Sequence, residues 1–120
     1  MLDGTIEIDA LVTRSKELGL SASCISDHGN LSGILKFYKT CKKGNIKPLL
    51  GIEAYTSHDK DSLSKDQLTK DNYHLILIAA NRDGYQDLLY LSSNAALNNY
   101  YYKPRINLDV LADRAKNLIC

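Results

Sequence analysis

Three short runs of small or apolar residues punctuate this chain: Ser21-Ala22-Ser23-Cys24-Ile25-Ser26, Pro48-Leu49-Leu50-Gly51-Ile52-Glu53-Ala54-Tyr55 and His74-Leu75-Ile76-Leu77-Ile78-Ala79. Runs of this length, bounded by turn residues, read as strands buried in a sheet. Between and around them the apolar period changes to that of a helix. Ile8, Leu11, Val12, Ser15 and Leu18 recur at helical spacing, with Lys16 in the last turn and Gly19 as the stop. Leu31, Ile34, Leu35 and Tyr38 predict a second helix that ends near Lys42-Lys43-Gly44. Asn81-Arg82-Asp83-Gly84 reads as a turn that opens a third, carried by Tyr85, Leu88, Leu89, Leu91 and Ser92.

Residues 57–71 are polar without useful periodicity and read as an exposed loop. Asn98 to Pro104 reads as an aromatic and polar loop. A short helix over Leu108 to Ala115 then leads into a terminal strand, Asn117-Leu118-Ile119-Cys120. The expected order is α-β-α-β-β-α-α-β. Strands joined by helical crossovers place the chain in the α/β class, with a mostly parallel sheet.

At 120 residues, 44% hydrophobic and 24% charged, the chain is bounded to one globular domain with a modest core. Its 15 basic and 14 acidic residues leave a net charge of +1, which provides no electrostatic footprint for nucleic acid. Cys24, Cys41 and Cys120 are odd in number and lack zinc spacing. They suit a reduced cytosol, with Cys24 and Cys41 as small core residues. Nothing approaches the roughly 18 continuous apolar residues of a membrane span, and no signal peptide opens the chain. The expectation is therefore a cytoplasmic protein without a membrane partner.

The residues that could carry chemistry are few. Ligands of parallel α/β folds bind beyond the carboxyl ends of strands, and Asp27-His28-Gly29-Asn30 falls there. A carboxylate beside an imidazole can bind a transition metal or share a proton. The same residues also fit a plain helix cap formed by Asp27 and Asn30, with His28 on the surface. Glu53 interrupts an apolar strand, so it must pair, bind a metal or face solvent. Alternation puts Leu50, Ile52 and Ala54 on one face and Gly51, Glu53 and Tyr55 on the other. His74 opens its strand, the end away from such a site in a parallel sheet, and His58 lies in the polar loop. Lys103 and Arg105 follow three tyrosines in Tyr100-Tyr101-Tyr102-Lys103-Pro104-Arg105, which suits either contact with nucleic acid or an anchored interdomain loop. No Walker loop, GxSxG elbow or dinucleotide fingerprint is present. Metal-centred hydrolysis is the enzymatic chemistry these residues suggest.

Longer stretches point further. They are Leu2-Asp3-Gly4, Ser26-Asp27-His28-Gly29-Asn30, Lys39-Thr40-Cys41-Lys42-Lys43, Ile46-Lys47-Pro48-Leu49-Leu50-Gly51-Ile52-Glu53-Ala54-Tyr55, Tyr73-His74-Leu75-Ile76-Leu77, Gly84-Tyr85-Gln86-Asp87-Leu88 and Tyr101-Tyr102-Lys103-Pro104-Arg105-Ile106. Through them almost the whole chain resembles the polymerase-and-histidinol-phosphatase (PHP) domain, in the branch at the N-terminus of bacterial DNA polymerase III alpha subunits. The resemblance implies an irregular seven-stranded (β/α)7 barrel with a cleft for up to three divalent ions, zinc or manganese. Residue by residue it implies Asp3, His28, Glu53 and His74 as metal ligands, with Asp27 as a supporting acid that orients an imidazole. It brings His74 into the site against the strand-end argument.

Two departures stand out. The family opens with a His-x-His pair shortly before Leu-Asp-Gly, and its later ligands include an Asp-x-His pair that would lie beyond Cys120. Family members often carry an acid and a glycine where this chain has Asn98-Asn99. Residues 1–120 are thus expected to be one incomplete PHP domain, truncated at both ends, lacking the first and last strands and inactive alone. For the parent protein the resemblance implies template-directed DNA synthesis by nucleotidyl transfer, with magnesium and catalytic aspartates outside this chain. It implies DNA, the sliding clamp and the proofreading exonuclease as partners. The PHP region itself would be a structural metal-binding domain or a 3′–5′ exonuclease. The competing expectations are a stand-alone metal-dependent phosphoesterase of the histidinol-phosphatase type and a non-enzymatic interaction module.

Overall fold

A computed structural model describes residues 4–57 and 72–120. Asp3 and His58 lie outside the described residues. In chain order the elements are α1 (Ile8–Glu17), β1 (Ala22–His28), α2 (Ile34–Gly44), β2 (Lys47–Ser57), β3 (Tyr73–Ala79), α3 (Arg82–Leu97), β4 (Tyr100–Tyr101), β5 (Lys103–Asn107), α4 (Leu108–Arg114), a 3-10 turn (Ala115–Asn117) and β6 (Leu118–Ile119). The described residues form two compact units. One combines those up to Ile25 with Ser32–Leu50, the other combines Ser26–Leu31 with Gly51–Cys120.

The first unit is built on α1 and α2. Their apolar stripes bury Val12, Phe37 and Cys41, together with Ile46, and Ile8, Leu11, Ile25 and Leu50 pack around this cluster. Ser15 sits in the α1 stripe without an unmet hydroxyl, because its Oγ donates to the Leu11 carbonyl at 2.8 Å. Asp9 on α1 accepts from Thr40 Oγ1 at 3.3 Å and pairs with Lys36 Nζ at 3.4 Å. The expected stop at Gly19 is a left-handed residue at φ 70°, with Leu20 N–H donating to the Ser15 carbonyl. At the end of α2 the left-handed residue is Asn45, at φ 55°, and not Gly44. Gly44 is small for another reason: a Cβ there would stand 2.8 Å from Val12 Cγ1.

The second unit holds a sheet in the order β4-β5-β2-β3-β6, and β1 pairs with β2. The sheet is mixed, which corrects the mostly parallel expectation. β2 runs parallel to β5, but β2–β3, β3–β6 and β4–β5 are antiparallel. The β2–β3 ladder extends from Gly51↔Ile78 to Thr56↔Tyr73. Alternation along β2 sends Ile52 and Ala54 to the core, opposite Leu77 and Leu75. Leu88, Leu91 and Ala95 of α3 cover that face, with Ile106 and Leu111 completing the cluster. Glu53 and Tyr55 are left for the other face.

The segment read as an aromatic loop is instead a hairpin. Tyr100 pairs with Pro104 and Tyr101 with Lys103, and Tyr102 turns the chain at φ 58°. No Gly or Asn marks this turn, which is why it has no signature in the sequence. Asn81 caps α3 as its turn chemistry predicts, accepting from Gly84 N–H at 3.0 Å. The Asn117 carbonyl accepts from Ala80 N–H at 3.0 Å, and Asn81 Nδ2 donates to Asn117 Oδ1 at 3.1 Å. These bonds tie the start of α3 to the 3-10 turn. Among the described residues no helix is long and apolar enough to cross a membrane.

Candidate metal centre

His28 is the last residue of β1, Glu53 lies within β2 and His74 is the second residue of β3. In a parallel sheet His74 would sit at the far end from the other two. Because β3 runs antiparallel to β2, His74 instead lies directly across from Tyr55, two residues beyond Glu53. The reversal of one strand therefore brings the start of β3 to the end of β2, where His28 already is. His74 would be set apart only in a parallel sheet, and β2 and β3 are antiparallel.

Both imidazoles converge on one carboxylate oxygen. His74 Nδ1 lies 2.5 Å and His28 Nδ1 lies 3.3 Å from Glu53 Oε1. One donor atom from each of the three residues falls within 4.8 Å of the others. The Glu53 side chain is 21% exposed, against 42% for His28 and 55% for His74, so the carboxylate forms the floor and the rings the rim. Two imidazoles and one carboxylate form a donor set that catalytic zinc sites use. Typical ligand distances of about 2.0–2.2 Å fit donors this closely grouped after small side-chain rotations.

The backbone after His28 is held as firmly as the side chains. Gly29 N–H donates to the Glu53 carbonyl at 2.8 Å, so the chain leaving β1 is pinned to the residue that supplies the carboxylate. Gly29 has φ 64°, and a Cβ there would lie 3.0 Å from Pro104 Cγ and from two ring carbons of Tyr55. A larger residue would meet both strain and crowding. Asn30 donates from Nδ2 to the His28 carbonyl at 2.8 Å. The helix-cap alternative does not hold by position: α2 begins at Ile34 with Gly33 at its cap, and Asp27 belongs to β1.

Tyr55 is the residue that sequence reasoning placed on the right face without assigning it a part. It is 8% exposed. Its ring stacks on His28 at 6.4 Å between centroids, and meets His74 at 5.0 Å with planes at 83°. One buried ring thus lies against both imidazoles. Lys103 Nζ lies 5.1 Å from the centroid of the same ring. Arg105, grouped with Lys103 in the sequence, is placed differently. It is 3% exposed, with its guanidinium over Tyr101 at 5.2 Å and Nη1 donating to Ser57 Oγ at 3.3 Å.

Among solved structures the fold is similar to one from Bifidobacterium adolescentis described as a metal-dependent phosphoesterase. The TM-score is 0.52 and the identity 19%, over 78% of this chain and 29% of the other. Among curated proteins the chain is 46% identical to a DNA polymerase III subunit alpha from Borreliella burgdorferi, over 100% of its own length and 10% of the relative's. It is 45% identical to a protein of the same name from Helicobacter pylori, over 99% of its length and 10% of that protein. Another from Aquifex aeolicus is 46% identical over 99% of the chain and 11% of the relative. The chain thus spans about a tenth of the length of these relatives. The PHP domain model matches residues 1–120, and the chain accordingly belongs to the PHP domain family.

Proposed function

We propose that His28, Glu53 and His74, together with Asp3, hold a divalent metal ion, and that the chain is part of the PHP domain of a bacterial replicative polymerase alpha subunit. The convergence of two imidazole nitrogens on Glu53 Oε1 is the observation that carries the metal reading. A divalent cation would be held by neutral imidazole nitrogens together with the carboxylate. Asp27, the neighbour of His28 on β1, is assigned the supporting acid. Zinc or manganese suits a site of two nitrogens and a carboxylate. Once bound, such an ion supplies Lewis-acid polarisation of a phosphoester oxygen and an acidified water. This chain's own residues grip and orient: Glu53 neutralises charge at the floor, and Tyr55 keeps the imidazoles in line.

The polymerase reading rests on relatives of one name at 40–46% identity across essentially the whole chain. In it the stretch belongs to a larger, partly formed (β/α)7 barrel. The parent protein performs template-directed nucleotidyl transfer with magnesium and carboxylates elsewhere, and works with DNA, the sliding clamp and the proofreading subunit. The PHP region contributes a metal-braced support, or trims 3′ ends as an exonuclease. A stand-alone phosphoesterase has in its favour only the shared fold.

Metal content decides the first half of this proposal. The complete natural polypeptide, dialysed against zinc or manganese, should retain ion by atomic emission, and ion at about 100 times its Kd should add about 2.7 kcal/mol of stability. His28→Ala and Glu53→Ala should each lower the content sharply and abolish the stabilisation. Unchanged content in both variants defeats the ligand assignment. The length of the reading frame decides the second half. Roughly a thousand residues fit the polymerase, whereas a single domain's worth fits the phosphoesterase.

A further inference from the structure

Lys103 is an exposed ammonium on β5, and among the described residues no carboxylate lies within ion-pairing distance of it. Lysine side chains on a surface are usually free to trail into solvent. This one is held over the ring of Tyr55, 5.1 Å from its centroid, and that ring is the one that meets His28 and His74. The hairpin is what brings it there. Tyr102 turns the chain in the left-handed region, and Lys103 is then the first residue of β5, the strand that pairs in parallel with β2. Pro104, next in the chain, closes on Gly29. The unit thus places a cation, without an ion-pair partner among the described residues, against the ring that also meets the two imidazoles of the cluster.

We propose that Lys103 is an anion-binding residue of this centre, holding a phosphate oxygen of whatever phosphoester the cluster takes. The inference rests on the metal reading above and adds the substrate's recognised group to it. A compact, rotatable ammonium suits a phosphate as a point charge. A cation over an aromatic face keeps its remaining donors free for an anion on the other side. Arg105 is excluded from this task by its burial against Tyr101 and Ser57. The phosphate could be free or part of a nucleic acid strand end, and the two sources are separable by experiment.

The test is calorimetric titration of the complete natural polypeptide, with manganese and after chelation, against inorganic phosphate and against a short single-stranded oligonucleotide bearing a 3′-phosphate. Lys103→Met should weaken phosphate binding about tenfold or more, the scale of one lost charged hydrogen bond, while manganese uptake stays as in the natural protein. Lys103→Arg should restore most of the loss. Oligonucleotide binding that falls in step with phosphate binding assigns the group to a strand end. A fall for phosphate alone assigns it to the free ion. If manganese is taken up and phosphate affinity is the same in Lys103→Met, the proposal is overturned and the metal reading stands. If manganese is not taken up but phosphate binding still depends on Lys103, the metal reading fails and the anion site stands. Binding of neither overturns both.

Discussion

His74 stands directly opposite Tyr55 in the antiparallel β2–β3 ladder, and their rings meet edge to face at 5.0 Å. That single pairing ties a buried core tyrosine to a rim histidine. Truncation of the ring should therefore act on both stability and metal binding. Tyr55→Ala should cost about 3 kcal/mol in urea unfolding, in the range for large aromatic truncations. It should also weaken metal affinity by about tenfold, as loss of a ligand's orienting contact does. Tyr55→Phe retains the ring and should leave metal affinity near that of the natural protein. If the phenylalanine variant loses as much affinity as the alanine variant, ring packing is not what aligns the imidazoles.

Gly84 provides a test in which two effects have opposite signs. It lies in the first turn of α3, where helix propensity alone favours alanine by about 1 kcal/mol. A Cβ there, however, would fall 2.1 Å from the Asn117 carbonyl oxygen and 3.3 Å from the Ala79 Cα. Both neighbours are backbone, and that same Asn117 carbonyl accepts from Ala80 N–H. Gly84→Ala should therefore destabilise by about 2 kcal/mol or more, the cost of forced overpacking. A stabilised variant in thermal unfolding would mean the close approach relaxes without cost.

The thiol of Cys41 is fully buried, and burial raises its pKa from the ordinary 9.0 by disfavouring the thiolate. Cys24 is raised for the same reason. The native state then holds its thiol protons to higher pH than the unfolded chain does. Their contribution to stability is complete below about pH 9, and it is lost as pH rises through the raised native values. Unfolding free energy should fall with pH above that point, and less steeply in Cys41→Ala. Alkylation at pH 8 should modify the exposed Cys120 first and Cys41 last, as read by mass spectrometry of the peptides.

Much of this protein was legible in its residues. The apolar periods located α1, the three long strands and α3, because burial on one face imposes a local repeat that survives any arrangement of the elements. Alternation in Leu50 to Tyr55 also separated Ile52 and Ala54 from Glu53 and Tyr55, as the two faces of β2 bear out. The hairpin from Tyr100 to Asn107 was not legible. Its turn rests on a tyrosine at positive φ, Tyr102, set between the paired strands β4 and β5.

The same division holds at the site. The sequence by itself supplied His28 and Glu53 as candidate donors, the glycine that turns the chain after His28, and the family to which the chain belongs. The direction of β3 was decided only by tertiary structure. Whether a strand runs with or against its neighbour is set by hydrogen bonds to residues distant in sequence, and a period of two reads the same in either direction. With β3 parallel, His74 would lie a strand's length from Glu53. With β3 antiparallel, its Nδ1 reaches the Glu53 carboxylate, and Tyr55 and Lys103 gather around the same centre.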